Sequence, residues 1–151
     1  MSKKLCVLLL ALATGLVFAA CGAQPTYTAP DLTGEWTQPS DGPWYHIATV
    51  TEDKIQIWWY LPSEDLRDLY WSGSFIPPED DTEPYEWQSV NDLVLAYDSY
   101  RASREEVKTF TYKDGKITYH VTSGHLRMIY TLERAETVHN PAADALLEKE
   151  S

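Results

Sequence analysis

The chain has 151 residues, and its 12 basic and 23 acidic side chains give a net charge of −11 with the histidines neutral. This balance argues against nucleic acid and anionic lipid headgroups as partners, and the length fits one domain. The aromatic content of 13% is too high for a disordered chain, so the composition predicts a globular protein with a core.

Residues 1–20 have the composition of a signal peptide. Lys3 and Lys4 give a positive start, and an apolar run from Leu5 to Ala20 follows. A membrane-spanning helix needs roughly 20 apolar residues. This run is shorter and ends in small residues, as signal peptides do.

The stretch Phe-Ala-Ala-Cys at 18–21 resembles the lipobox of bacterial lipoproteins, although Phe18 stands where Leu is usual. The resemblance implies cleavage before Cys21 and acylation of that cysteine by palmitate-type chains; an incidental cysteine after an ordinary secretory signal is the alternative. Two or more acyl chains would anchor the protein stably outside the cytoplasmic membrane. Residues 21–31 would form a flexible tether, and the mature chain would contain no disulfide because Cys6 leaves with the signal.

Cleavage at this point makes the chain more acidic. It removes two of the 12 basic residues and none of the 23 acidic ones, which leaves 10 against 23 and a net charge of −13. A protein partner is therefore expected to be basic or neutral.

Residues 32–135 alternate short β-rich runs with turn signals. This pattern predicts an all-β domain, an antiparallel meander of about eight strands that forms a small barrel or barrel-like sandwich. Upstream, a turn at Glu52-Asp53 pairs residues 45–50 with 55–60 and sets His46 beside Trp59 on the core face. The opposite face of this hairpin is apolar as well, with Tyr45, Ile47, Trp58 and Tyr60.

Two turns predict a three-stranded meander near the end of the domain. A turn at Asp114-Gly115 sets Phe110 opposite Tyr119. A second turn at Ser123-Gly124 sets Val121 opposite Leu126 and Tyr119 opposite Met128. Both turns place the same apolar residues on one inner face: Phe110, Tyr112, Ile117, Tyr119, Val121, Leu126, Met128, Tyr130 and Leu132.

Three further segments carry weaker signals. The run "LRDLYWSGSF" alternates Leu69 and Trp71 on the core face with Tyr70 on the outer face. Residues 91–104 fit either a short helix capped by Asn91 or a strand. Residues 136–151 are predicted to be a polar linker followed by a short tail helix.

The Gly34-Glu35-Trp36 stretch resembles the Gly-x-Trp signature of lipocalins and the wider calycin group. The resemblance implies that Trp36 closes one end of an antiparallel barrel and that Arg134, at the end of the last strand, packs across it. A core tryptophan in some other sandwich is the alternative.

A second resemblance covers nearly all of residues 32–134 through "TGEW", "ATVTEDKIQIWW", "LYWSGSF", "PYEW", "VNDL", "KTFTYKDGKITY" and the final "LER". These motifs are similar to those of small lipoproteins from Gram-positive bacteria, their phages and prophages. That group implies an anchored β domain without a known activity. A phage origin would imply an accessory role on the lysogen's surface, such as exclusion of related phages.

No catalytic constellation stands out, so the sequence predicts neither an enzyme nor a cofactor. His120 and His125 share one outer face, but the spacing indicates no third metal ligand. The acidic run at residues 79–83 lacks the glycine turn and ligand spacing of a calcium loop. Solvated side chains are the expected state in both places, and no metal site is predicted.

The surplus aromatics supply the functional hypotheses. Tyr45, Trp58, Tyr60 and Tyr70 form the candidate binding surface, unless residues 91–104 or the tail helix cover it. The domain would then be a tethered interaction module that docks on an envelope or phage protein. The alternative is a lipocalin-like binder of a small apolar ligand. The interaction module is favoured because seven bulky side chains would fill an eight-stranded barrel: Trp59, Trp71, Phe110, Tyr112, Tyr119, Met128 and Tyr130.

Overall fold

The computed structural model describes residues 28–137. Within this range the chain forms eight strands, one α-helix and short 3-10 turns at Pro62–Glu64 and Ala135–Thr137. The elements in chain order are β1 (Gly34–Thr37), β2 (Tyr45–Val50), β3 (Lys54–Leu61), β4 (Leu66–Ser74), β5 (Tyr85–Val90), α1 (Leu93–Tyr97), β6 (Val107–Lys113), β7 (Lys116–Ser123) and β8 (Leu126–Arg134).

The eight strands form one antiparallel sheet in the order β4-β3-β2-β1-β8-β7-β6-β5. Because the first strand pairs with the last, the sheet curls into a barrel that is nearly closed, which is consistent with a lipocalin-like fold. The prediction of an all-β meander is confirmed. β4 and β5 face each other across the remaining seam, which an isolated bridge between Gly73 and Asn91 spans.

The two strongest hairpin signals gave the correct register. The Asp114-Gly115 turn pairs Phe110 with Tyr119, and the Glu52-Asp53 turn sets His46 opposite Trp59. Both turns are short enough to fix the pairing of the strands that they connect.

The predicted β7–β8 register is wrong by two residues. Ser123 pairs with Leu126, so Gly124 and the residue after it form the turn, and Gly124 takes a positive φ of 60°. Val121 therefore lies opposite Met128. A shift by two residues preserves the inner and outer faces, which is why the face assignment survives.

β4 contains a β-bulge, so the predicted alternation of inner and outer residues is wrong at Tyr70. The register between β3 and β4 shifts after Ile57, so that Ile57 pairs with Trp71 while Trp58 pairs with Leu69. Tyr70 is the extra residue, and it is buried against the core instead of lying on the outer face. Leu69 takes the outer position instead, because a bulge re-aims the side chains on its strand.

Trp36 and Arg134 meet as the Gly-x-Trp resemblance implied. They pair across β1 and β8, and the Arg134 guanidinium lies 4.2 Å from the centre of the Trp36 ring. Arg134 also donates to the carbonyls of Asp31 and Thr33, and the Trp36 indole donates to Leu32. Gly34 has a φ of 117°, and a Cβ there would lie 3.0 Å from the Arg134 guanidinium, so glycine fits both requirements.

Side chains fill the interior of the barrel. The largest residues with less than 2% exposure include Trp36, Trp71 and Phe110, which pack with aliphatic residues from β3, β7 and β8. Met128 corrects the predicted core: it lies on the inner face opposite buried Val121 but is 38% exposed, because β1 pairs with β8 only at Glu133 and Arg134 and leaves the edge of β8 uncovered at this position. Leu126, at the tip of the same hairpin, is 67% exposed.

Residues 91–104 contain a short helix instead of a strand. Asp92 is the N-cap of α1 and accepts a hydrogen bond from the amide of Leu95, whereas Asn91 is buried and donates to the carbonyls of Ser103 and Glu105. No helix between residues 28 and 137 is long and apolar enough to cross a membrane.

The predicted signal peptide, Cys21, most of the tether and the tail helix lie outside the described residues. Those expectations stay predictions.

Candidate functional site

One buried histidine, His46, lies among aromatic side chains in the half of the barrel farther from Trp36. The His46 ring is fully buried and accepts or donates one hydrogen bond, between Nδ1 and the Tyr119 hydroxyl. The His46 ring stacks on the Tyr70 ring with 4.7 Å between ring centres. The centres of the Trp59 and Tyr130 rings lie 4.0 Å and 4.7 Å from the centre of the His46 ring. His46 therefore occupies the centre of an aromatic cage built from four strands.

The cage keeps His46 neutral. Burial, with a smaller contribution from the nearby Lys108 charge, lowers the pKa of His46 to about 3. Its Nε2 atom is buried without a hydrogen-bond partner among the described residues. His46 therefore lies on the core face opposite Trp59, as the hairpin register predicted, with its neutral ring packed among aromatic side chains.

Lys108 is a second buried polar group in the same half. Its ammonium forms an ion pair with Glu105, donates to the His120 carbonyl at 2.9 Å and lies 5.4 Å from the Tyr70 ring centre. Burial lowers the pKa of Lys108, and the ion pair with Glu105 opposes that shift. The Lys108 ammonium is therefore satisfied by contacts within the protein.

The predicted binding surface is much less exposed than expected. Tyr45 is 3% exposed and meets Tyr60 edge-on at 5.6 Å, and Trp58 and Tyr60 are half-buried. Tyr70 belongs to the buried cage. The four residues therefore do not form one exposed patch, since β4 bulges at Tyr70 and the outer aromatics pack on their neighbours.

Exposed apolar side chains gather instead on the connection between β5 and β6. Tyr100 is 96% exposed, Val94 82% and Tyr97 79%, with Leu93 and Leu95 also exposed. Ala96 is the one helix residue that is buried. We refer to Leu93, Val94, Leu95, Tyr97 and Tyr100 as the α1 patch.

Hydrogen bonds hold the α1 patch in place. The Ser99 hydroxyl contacts Asp68 and the Leu69 carbonyl at 2.5 Å, and Arg104 donates to the carbonyls of Ala96 and Ser99. Arg101 lies 4.3 Å from the Trp44 ring centre and pairs with Asp68. The patch is therefore presented on an ordered segment fixed to β4.

The remaining titratable candidates do not assemble. His120 is half-buried on the outer face of β7 near Thr109 and Arg127, while His125 is exposed in the β7–β8 turn. The acidic residues 79–83 stay in the β4–β5 loop. In the range 28–137, no three His, Cys, Asp or Glu side chains are grouped so that they could hold a metal ion.

The sequence analysis does not predict the α1 patch, because residues 91–104 fit either a helix or a strand and enter it only as a possible cover for the outer aromatics. The signal was present: Asp92 followed by Leu93, Val94 and Leu95 places apolar residues on all sides of a single turn, which a short helix cannot bury.

Comparison of the chain with protein-family models, with curated proteins and with solved structures finds no match.

Proposed function

We propose that this protein is a non-enzymatic interaction module, tethered to the outside of the bacterial cell membrane, that docks on another envelope or phage protein. The observation that carries the proposal is the contrast between a filled interior and the exposed α1 patch. Trp71 and Phe110 are fully buried, and the cage aromatics pack around His46, whereas Val94, Tyr97 and Tyr100 face solvent. Tyrosines on an ordered segment are frequent anchors of protein interfaces.

The topology supports a tethered arrangement. Residues 28–33 lead into β1 at the Trp36 end of the barrel, while the α1 patch follows β5 at the opposite end. An acyl chain on Cys21 would therefore attach the Trp36 end to the membrane and leave the α1 patch facing outward. The lipobox resemblance supports this anchor, and the motifs shared with prophage lipoproteins support a role on the surface of a lysogen.

The partner is expected to be neutral or basic. The chain carries a net charge of −11, and Asp92, Asp98 and Glu106 lie close in sequence to the α1 patch. Complementary charge on a partner speeds association and disfavours acidic competitors.

Site-specific photo-crosslinking in the native envelope tests the docking surface. A photoreactive residue at Tyr97 or Tyr100 is expected to yield a discrete crosslink to one partner. The matched control is Ile76, which is apolar and 56% exposed but lies in the β4–β5 loop at the other end of the barrel. Equal crosslinking from Ile76 and Tyr97 would overturn the assignment of the surface.

The anchor has a separate test. Membrane fractions are expected to contain the protein with a lipid-modified Cys21, and a Cys21→Ser chain is expected to leave the membrane fraction. A Cys21→Ser chain that stays with the membrane would contradict the lipid anchor. The docking proposal would then stand on the crosslinking result alone.

A further inference from the structure

An open groove crosses the outer face of the sheet formed by β5, β6, β7 and β8. Two depressions of about 360 and 300 Å³ share Thr109, His120 and Arg127, so they are parts of one groove. Volumes of this order are typical of the smaller ligand sites in proteins. None of the residues that line the groove belongs to the α1 patch, so a ligand bound here is independent of the proposed function.

The alternation of the strands makes the floor of the groove polar. Because successive side chains of a strand point to opposite faces, β6 and β7 present four threonines outward, at positions 109, 111, 118 and 122. Thr111 pairs with Thr118, and Thr122 pairs with Arg127, across neighbouring strands. The groove therefore carries a set of hydroxyl groups, each of which can donate and accept hydrogen bonds.

The charged side chains of the groove balance each other. Two carboxylates, Glu86 and Glu105, and two cations, Lys108 and Arg127, line it. Glu105 forms an ion pair with Lys108, and Glu86 accepts a hydrogen bond from Thr111 at 3.2 Å. With the histidine neutral, the groove has no net charge, although the chain as a whole has a net charge of −11. A small anion bound at Arg127 would share the groove with two carboxylates, which disfavours it.

Three side chains of the groove have unused hydrogen-bonding capacity. In the part of the chain that the structure describes, the Arg127 guanidinium and the Thr109 hydroxyl form no hydrogen bond or ion pair, and the Nδ1 atom of His120 is buried without a partner. Ile129 and Val107, which are 69% and 47% exposed, add apolar surface to the same groove. An apolar ligand would cover the polar groups without satisfying them, which costs free energy.

We propose that this groove binds a neutral saccharide. Sugar hydroxyls both donate and accept, so a saccharide can accept from Arg127 and donate to a carboxylate of the groove without bringing a charge. The C–H groups of a sugar ring can pack on Ile129 or Val107. A saccharide thus uses the donors, the acceptors and the apolar surface of the groove together, which neither an anion nor an apolar molecule does.

Nuclear magnetic resonance of the isotope-labelled full chain carrying Cys21→Ser tests this site. The chain is titrated separately with glucose, galactose, mannose and N-acetylglucosamine. At least one of these sugars is expected to shift the amide signals of Thr109, His120 and Arg127 in a saturable manner and to leave those of the α1 patch in place. Thr109→Val and Arg127→Met are each expected to weaken binding of that sugar at least about tenfold, because each removes a hydrogen bond to the ligand.

Arg67→Met and Thr49→Val are the matched controls, since they make the same changes outside the groove, at an exposed arginine on β4 and at a threonine on β2. Both are expected to leave the affinity unchanged, and circular dichroism checks that every variant is folded. The absence of saturable shifts with all four sugars overturns the proposal, as does equal weakening by the groove variants and their controls. Sodium sulfate that shifts the same amide signals more strongly than any of the sugars would assign the groove to anions instead.

Discussion

The wall of the barrel is interrupted at two places, and the chain treats them differently. At the β4–β5 seam, the Trp71 indole donates to Ser89 at 3.0 Å and the Val90 amide donates to Ser74 at 2.9 Å. Together with the backbone bond from the Asp92 amide to the Ser72 carbonyl at 2.6 Å, these side-chain bonds close the seam where a full ladder is missing. Along β8, by contrast, nothing in the described part of the chain covers residues 126–129, and their side chains face solvent.

The difference between the closed β4–β5 seam and the uncovered β8 edge indicates that recognition is expected on the outer surface of the barrel. The latched seam seals a barrel whose interior is already occupied by its own aromatic side chains, so recognition through the interior is disfavoured. The open edge and the α1 patch lie on the outside, which favours binding to other protein surfaces.

The largest effect is expected from Gly73→Val, which breaks the latched seam. A Cβ at this position would lie 2.6 Å from the Trp71 Nε1 atom and 2.7 Å from the Val90 carbonyl oxygen, and the backbone there has little room to move. We expect a loss of about 3 kcal/mol or more in unfolding free energy, measured by urea denaturation. Gly42→Ala is the control, since its nearest neighbour lies 3.4 Å away and a small change is expected there. Equal effects at the two glycines would contradict the latch.

The buried cage is expected to make the fold sensitive to acid. Burial lowers the pKa of His46 from 6.5 to about 3, so between these values the unfolded chain binds more protons than the folded one. Stability therefore falls as the pH drops below about 6.5, by about 2 kcal/mol on acidification to about pH 5. Urea denaturation of His46→Asn is expected to show a weaker pH dependence over this range, and the exposed His125→Asn an unchanged one. An identical pH profile for His46→Asn and the parent chain would refute a neutral buried His46.

Arg134→Met tests the point where β8 does pair with β1. The variant loses the cation–π contact with Trp36 and the hydrogen bonds to the carbonyls of Asp31 and Thr33. We expect a destabilisation of about 1–2 kcal/mol by thermal or urea unfolding. Arg127→Met is the control, because Arg127 is exposed on β8 beyond the paired residues. A larger loss at position 127 than at 134 would contradict the closure.

The smallest effect is expected from Met128→Asp. A buried Met128 on the inner face, as the sequence predicts, would make this change prevent folding. Met128 is 38% exposed, so the domain is expected to lose only about 0.5 kcal/mol in unfolding free energy. Val121→Asp, at its buried cross-strand neighbour, is expected to unfold the domain because an unpaired charge enters the core. Melting of both variants at low concentration separates these outcomes, and equal destabilisation would contradict an open edge.

The fold could be predicted largely from local turn chemistry. Asp114-Gly115 is a two-residue turn that allows one register. Ser123, Gly124 and His125 offer two overlapping turns, and the structure uses Gly124-His125 where the sequence predicts Ser123-Gly124. The Trp36–Arg134 pair was available through the Gly-x-Trp motif.

The site was harder to predict because it depends on contacts that are distant in sequence. His46 meets Tyr119 across 73 residues, and Tyr70 enters the cage through a bulge that the alternation of β4 does not reveal. The α1 patch required knowing that only Ala96 is buried on that helix, which depends on how the connection lies against β4.

Native mass spectrometry of the protein purified from its membrane tests the central claim, that the barrel interior is filled by its own side chains and that binding takes place on the outside. The account predicts that the acylated chain carries no non-covalently bound molecule of lipid size. A stoichiometric adduct of a lipid-sized molecule that is released on unfolding would contradict the account and support a small-ligand carrier.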